Sequence, residues 1–139
     1  MKTCEFFSSL IFLLFLNCGS ENEQPQPWLG SWIISSFSNN EVKYEQIDSL
    51  NMSITFLNNK EGELYGACNG GSVSFSINSN KGTLLFTKVS LTERACQDNS
   101  LNWTEEDLAT ILYTINHWSI KSDSLFFDGE GDSEVTLHR

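Results

Sequence analysis

Behind residue 28 the chain alternates apolar and polar positions with a period of two over most of its length. Trp32 and Ile34 fall on one face of a run over residues 29–37 that opens the domain as a strand. Residues 38–50 are polar and are predicted to be a loop. Met52, Ile54 and Phe56 alternate with Ser53 and Thr55, the pattern of a half-buried antiparallel strand. Residues 58–62 (Asn-Asn-Lys-Glu-Gly) are turn material, and residues 64–68 form the returning strand. Gly70 and Gly71 are predicted to break the chain. Val73, Phe75 and Ile77 then alternate, residues 78–82 turn, and residues 83–89 give the next strand.

The period changes at residues 103–115, where Leu108, Ile111, Leu112 and Ile115 recur at helical spacing. Thr104-Glu105-Glu106-Asp107 resembles a capping box with Asp in the last place, and its acidic first turn suits the helix dipole. Short strands follow around residues 118–120 and 125–127, then a last one through Val135 and Leu137, with turns at 122–123 and 128–131. The order predicts a mainly β domain, a small antiparallel β-sheet or barrel-like unit with one inserted α-helix at about 103–115. No internal repeat is visible.

The first residues have a different pattern. Lys2 is followed by an apolar run over residues 6–16, the length of a signal-peptide core and too short for a stable membrane-spanning helix. The run ends in Phe15-Leu16-Asn17-Cys18, which resembles a lipobox similar to the relaxed boxes of Bacteroidetes-type bacteria. Residues 1–17 are expected to be a removable lipoprotein signal, with Cys18 as the lipid anchor. Residues 18–27 are polar and Pro-containing and read as a flexible tether, leaving 28–139 as the folded domain. The expected location is the cell envelope, on the outer membrane, with the lipid as the membrane partner.

Charge and cysteine count narrow the chemistry. Lys and Arg number 8 against 18 Asp and Glu, a net charge of −10. Such a surface is repelled by phosphate backbones, which argues against nucleic-acid binding. Of the four cysteines, Cys4 leaves with the signal and Cys18 takes lipid, so Cys68 and Cys96 remain in an oxidising compartment. A disulfide between them is expected; two buried free thiols are the alternative, and metal ligation has no His or second Cys at ligand spacing to support it.

Residues 62–69, Gly-Glu-Leu-Tyr-Gly-Ala-Cys-Asn, resemble the first signature of the META/HslJ domain family, a glycine shortly before Cys-Asn. Residues 91–96, Leu-Thr-Glu-Arg-Ala-Cys, resemble its second, a Thr followed by a segment ending in Ala-Cys. The motif positions are Gly66, Cys68, Asn69, Thr92 and Cys96. Ala67 and Arg94 stand where the family usually has Gly and Met. The resemblance covers about residues 28–138. It implies an envelope or secreted module linked to stress tolerance, with no reaction attached to the motif.

Little else suggests chemistry. His117 and His138 are isolated from each other and from any nucleophile motif, so no catalytic residue, enzyme activity or cofactor is expected. Asp128, Glu130, Asp132 and Glu134 faintly resemble a Ca²⁺ loop but lack the spacing of one, and no metal ligand is assigned. Trp28, Trp32, Trp103 and Trp118 are expected in the core. The alternative to a non-enzymatic interaction module is a lipocalin-like carrier of an apolar ligand, suggested by Leu29-Gly30-Ser31-Trp32 and the run of strands. A protein or small-molecule partner is left unnamed.

Overall fold

The computed structural model describes residues 26–94 and 96–139; the expected signal, Cys18 and the tether as far as residue 25 lie outside the described residues. The described strands are β1 (Gly30–Ser38), β2 (Lys43–Glu45), β3 (Ser53–Phe56), β4 (Glu61–Tyr65), β5 (Gly70–Asn78), β6 (Thr83–Leu91), β7 (Ile115–Lys121), β8 (Ser124–Gly129) and β9 (Glu134–His138). One helix, α1 (Asn99–Leu112), connects β6 to β7. Each strand pairs antiparallel with its neighbour, and β9 returns to β1, so β1 and β3–β9 close an eight-stranded barrel. The expected mainly β architecture with a single inserted helix is what the chain adopts.

β1 is long enough to serve several partners. Its first half pairs with β3, from Gly30 opposite Phe56 to Ile33 opposite Ser53, while Ile33–Ser38 pairs with β9 around a bulge between Ile34 and Ser36. Such a bulge bends the strand, as barrel closure demands. Where β3 has ended, β2 takes over that edge opposite residues 36–38. The Arg139 guanidinium strengthens the β1 end of this seam. It donates to the carbonyls of Pro27 and Leu29 and lies 4.2 Å from the centroid of the Trp32 ring.

Period two sends every second side chain inward. Trp32, Ile34, Ile54, Phe56, Leu64, Val73, Phe75, Leu84, Phe86, Leu125, Phe127, Val135 and Leu137 are all buried in one cluster. The rings interlock edge to face, Phe56 with Phe75 at 5.1 Å and with Phe127 at 6.2 Å between centroids. Trp28 packs edge-on against Phe56 and Phe75 at the end where β1 begins. At the other end α1 lays Leu108, Ile111 and Leu112 on the core.

The structure corrects five expectations. The helix spans Asn99–Leu112 rather than 103–115. Its cap is Asp98, which accepts from the Ser100 amide at 2.9 Å, so the expected capping box falls inside the helix. The Thr104 hydroxyl turns back to the Ser100 carbonyl at 2.9 Å instead of capping. Residues 38–50 hold a strand, because Asn39 shapes a tight turn by accepting the amides of Glu41 and Val42. Gly70 and Gly71 open β5 instead of breaking the chain. A Cβ on Gly71 would come within 1.7 Å of the Ser90 carbonyl oxygen, so glycine here permits close strand approach. Trp28, Trp32 and Trp118 are buried, but Trp103 is 64% exposed on the outer face of α1.

Candidate functional site

Three segments that are far apart in sequence meet at the end of the barrel covered by α1. They are the β4–β5 loop (66–69), the segment leaving β6 (92–96), and the second turn of α1. All five motif positions lie here. Cys68 and Cys96 are joined as a disulfide with their Cα atoms 5.9 Å apart, within the normal range for a bridge.

Asn69 and Glu105 are the centre of the arrangement, and both are buried at 6% and 2% exposure. The Glu105 carboxylate enters from the helix. Its Oε1 accepts the backbone amides of Cys68 at 2.6 Å and Asn69 at 2.8 Å, and its Oε2 accepts the Asn69 side-chain amide at 2.6 Å. The Asn69 Oδ1 accepts in turn from the Thr92 hydroxyl at 3.0 Å and the Arg94 amide at 2.8 Å. Buried polar atoms need such partners, since leaving one unpaired costs about 1–3 kcal/mol. The network therefore locks loop, strand exit and helix into one geometry.

Gly66 makes room for it. A Cβ at this position would sit 2.2 Å from Glu105 Oε1, and the Gly66 amide donates to the Asn69 carbonyl at 2.7 Å to close the turn. The glycine of the motif is thus explained by a carboxylate nearly forty residues further along the chain. Sequence reading missed Glu105, taking it for part of a capping box in an acidic first turn. A signal was present: Glu105 lies three residues before Leu108 and seven before Leu112, on the apolar stripe of the helix. An acid on that stripe needs an internal partner.

Two open clefts flank Thr92 and Arg94. One, of about 490 Å³, lies between the β6 exit and α1, and includes Leu91, Glu93, Asn102, Glu106 and Ala109. The other, of about 430 Å³, lies over the β4–β5 loop and includes Glu63, Tyr65 and Gly70. A third, of about 300 Å³, is at the far end beside Trp28, Asn59 and Asn78.

The other candidates lie elsewhere and apart. His117 is exposed on β7 opposite Thr83. His138, at the end of β9, bonds the Asp48 carboxylate, and that bond raises the imidazole pKa and lowers that of the acid. Asp128 and Glu134 face each other across the β8–β9 hairpin, and Glu130–Asp132 form its 3₁₀ turn. Among the described residues no three His, Cys, Asp or Glu side chains converge as metal ligands would.

The family model described as the META domain matches residues 28–139. Among solved structures, the chain resembles the NMR structure of a protein from Burkholderia xenovorans, with a TM-score of 0.64 at 16% identity, covering 88% of this chain and 95% of that one. A second NMR structure aligns with a TM-score of 0.59 at 16% identity, covering 83% of this chain and 94% of that one. These likenesses are of fold. A search of curated proteins gives no match.

Proposed function

Since the chain belongs to the META domain family, we propose that it is a non-enzymatic, lipid-anchored module of the bacterial cell envelope that serves stress tolerance by binding a partner. The observation that carries this reading is how the motif residues are used. Gly66, Cys68, Asn69, Thr92 and Cys96 are all engaged in holding α1 to the barrel. The motif thus serves architecture, and an acidic outer surface is left to meet partners.

The anchoring half of the proposal is tested at Cys18. Cells expressing the chain are fed an alkyne-tagged fatty acid and fractionated. The wild type carries the tag and stays with membrane in high salt. Cys18→Ser loses the tag and appears as soluble or unprocessed protein. A Ser variant that still fractionates with membrane sinks the anchor.

The lipocalin-like carrier is the second reading, and the closed eight-stranded barrel is compatible with it. The aromatic packing weighs against it, because the rings of Phe56, Phe75, Phe86 and Phe127 occupy the interior that a carrier would offer to its ligand. Native mass spectrometry of protein taken from the envelope separates the two. An apolar molecule retained at fixed stoichiometry supports the carrier.

A further inference from the structure

Every seam of the closed barrel but one is paired over several residues. β6 and β7 pair only at Thr83 opposite His117, with one more bond from the Trp118 amide to the Gly82 carbonyl. Beyond Thr83, β6 has no strand on its outer edge among the described residues. Its register with β5 fixes where the outward groups are. The Thr92 amide bonds the Gly70 carbonyl, so Leu91, one residue earlier, turns its amide and carbonyl away from β5. Val89 does the same, and there a side chain stands in for the missing strand. The Tyr113 hydroxyl accepts from the Val89 amide at 2.8 Å and donates to its carbonyl at 3.2 Å. Leu91 has no such substitute among the described residues. This edge opens on the cleft of about 490 Å³ whose opposite wall is α1.

We infer that this cleft binds an extended, basic segment of a partner protein, which adds as a short strand to the open edge of β6 and lies against α1. The inference rests on the interaction-module reading above and names the surface and its partner chemistry. A strand edge facing a helix across a groove is a known mode of peptide capture, with main-chain bonds giving affinity and side chains giving choice. The volume is within the ordinary range of binding clefts. Charge selects the partner. The cleft carries three carboxylates, Glu93, Glu105 and Glu106, against the single guanidinium of Arg94. Glu93 and Glu106 are exposed, and the whole chain bears −10. An acidic segment, including a second copy of this chain, is repelled.

The test uses the mature chain from Cys18 in detergent micelles and a pentapeptide alternating lysine with valine. This peptide is expected to bind at least about tenfold more tightly than its glutamate–valine counterpart, and to shift the Leu91 amide resonance. N-methylating its bonding edge abolishes binding. Ala109→Trp, which fills the cleft, also abolishes it, with the fold checked by unchanged amide resonances in the strands. Glu106→Lys, on the exposed rim, leaves two carboxylates against two cations and so abolishes the charge preference while leaving the fold intact. Equal binding of both peptides, or no effect of N-methylation or of Ala109→Trp, overturns the inference.

A photocrosslinking residue placed at Ala109, and separately at the exposed Leu57, distinguishes this claim from the broader one. Cross-links in the envelope from Ala109 to a segment carrying Lys or Arg support the cleft. Cross-links from Leu57 alone overturn the cleft and leave the interaction module standing. Cross-links from Ala109 to a second copy overturn the choice of partner. No cross-link from either position counts against both readings.

Discussion

The two ends of the barrel are held by different forces. Where β1 begins, Trp28, Phe56 and Phe75 interlock through apolar area. That attraction has little directionality and accepts any arrangement that fills the space. Where β1 finishes, α1 is fixed by a carboxylate, a carboxamide and a disulfide, each of which allows only one geometry. The apolar end confers bulk stability. The polar end specifies position, and it is the end that carries the family motif. The difference teaches that the motif is conformational: it sets the angle and depth of one helix on a barrel that other residues stabilise.

Phe75→Ala should break the comparison from the apolar side. Its ring touches those of Trp28, Phe56 and Phe86. The loss expected is about 3–5 kcal/mol, and it should be global. Chemical denaturation gives the size, and amide exchange should rise in every strand together. An increase confined to β5 would mean that the two ends do not share one cooperative core.

The disulfide sharpens the comparison from the other side. Cys68→Ser with Cys96→Ser opens a crosslink spanning 28 residues and should cost about 3 kcal/mol. Here the faster exchange should appear first in α1 and in residues 66–69, with β3 and β8 still protected. Glu105→Ala comes next, at about 2–3 kcal/mol, because it strands the amides of Cys68 and Asn69 and the Asn69 carboxamide. Glu105→Gln should recover little of this. Its NH₂ would meet the NH₂ of Asn69, and turning Asn69 over would set its NH₂ against the Arg94 amide donor. A Gln variant as stable as wild type would show that the acceptor pattern at Oε2 is unimportant.

The same division explains what could be read from the sequence. Alternation exposes a strand only when one of its faces meets the core, which is why β1, β3, β5, β6 and β9 are legible from Trp32, Ile54, Phe75, Phe86 and Leu137. β2 has no such alternation, being Lys43-Tyr44-Glu45, with only Tyr44 half-buried. The first turn of α1, Asn99-Ser100-Leu101-Asn102, is mostly polar and resembles loop, so local pattern places the helix start at the later acidic cluster. The motif residues were recognised by pattern, but their role required Glu105, and a partner thirty-six residues from Asn69 is not visible in local sequence. Trp103 shows the opposite failure. Its size suggested the core, but its helical position turns it outward.

The smallest effect belongs to a surface pair that joins the β9 terminus to the turn before β3. His138 bonds Asp48, and both side chains are well exposed, at 37% and 49%. The hydrogen bond to Asp48 is the main cause that raises the His138 pKa above its ordinary 6.5, and the same bond lowers that of Asp48 below 3.8. A group with a raised folded pKa stabilises fully below its unfolded value, and that contribution is lost as pH rises through the folded value. A group with a lowered folded pKa stabilises above its unfolded value and loses that contribution as pH falls through the folded value. The pair therefore contributes most between the two ordinary values, 3.8 and 6.5. The melting-temperature difference between wild type and His138→Ala should be greatest in that interval and shrink on either side. About 1 M salt should reduce it, since screening then acts over only about 3 Å. Asp48→Asn should remove the pH dependence while sparing the Arg139–Trp32 stack. A difference that stays constant from acid to neutral pH would assign His138 to packing at the strand end, and the seam would then be held like the apolar end of the barrel.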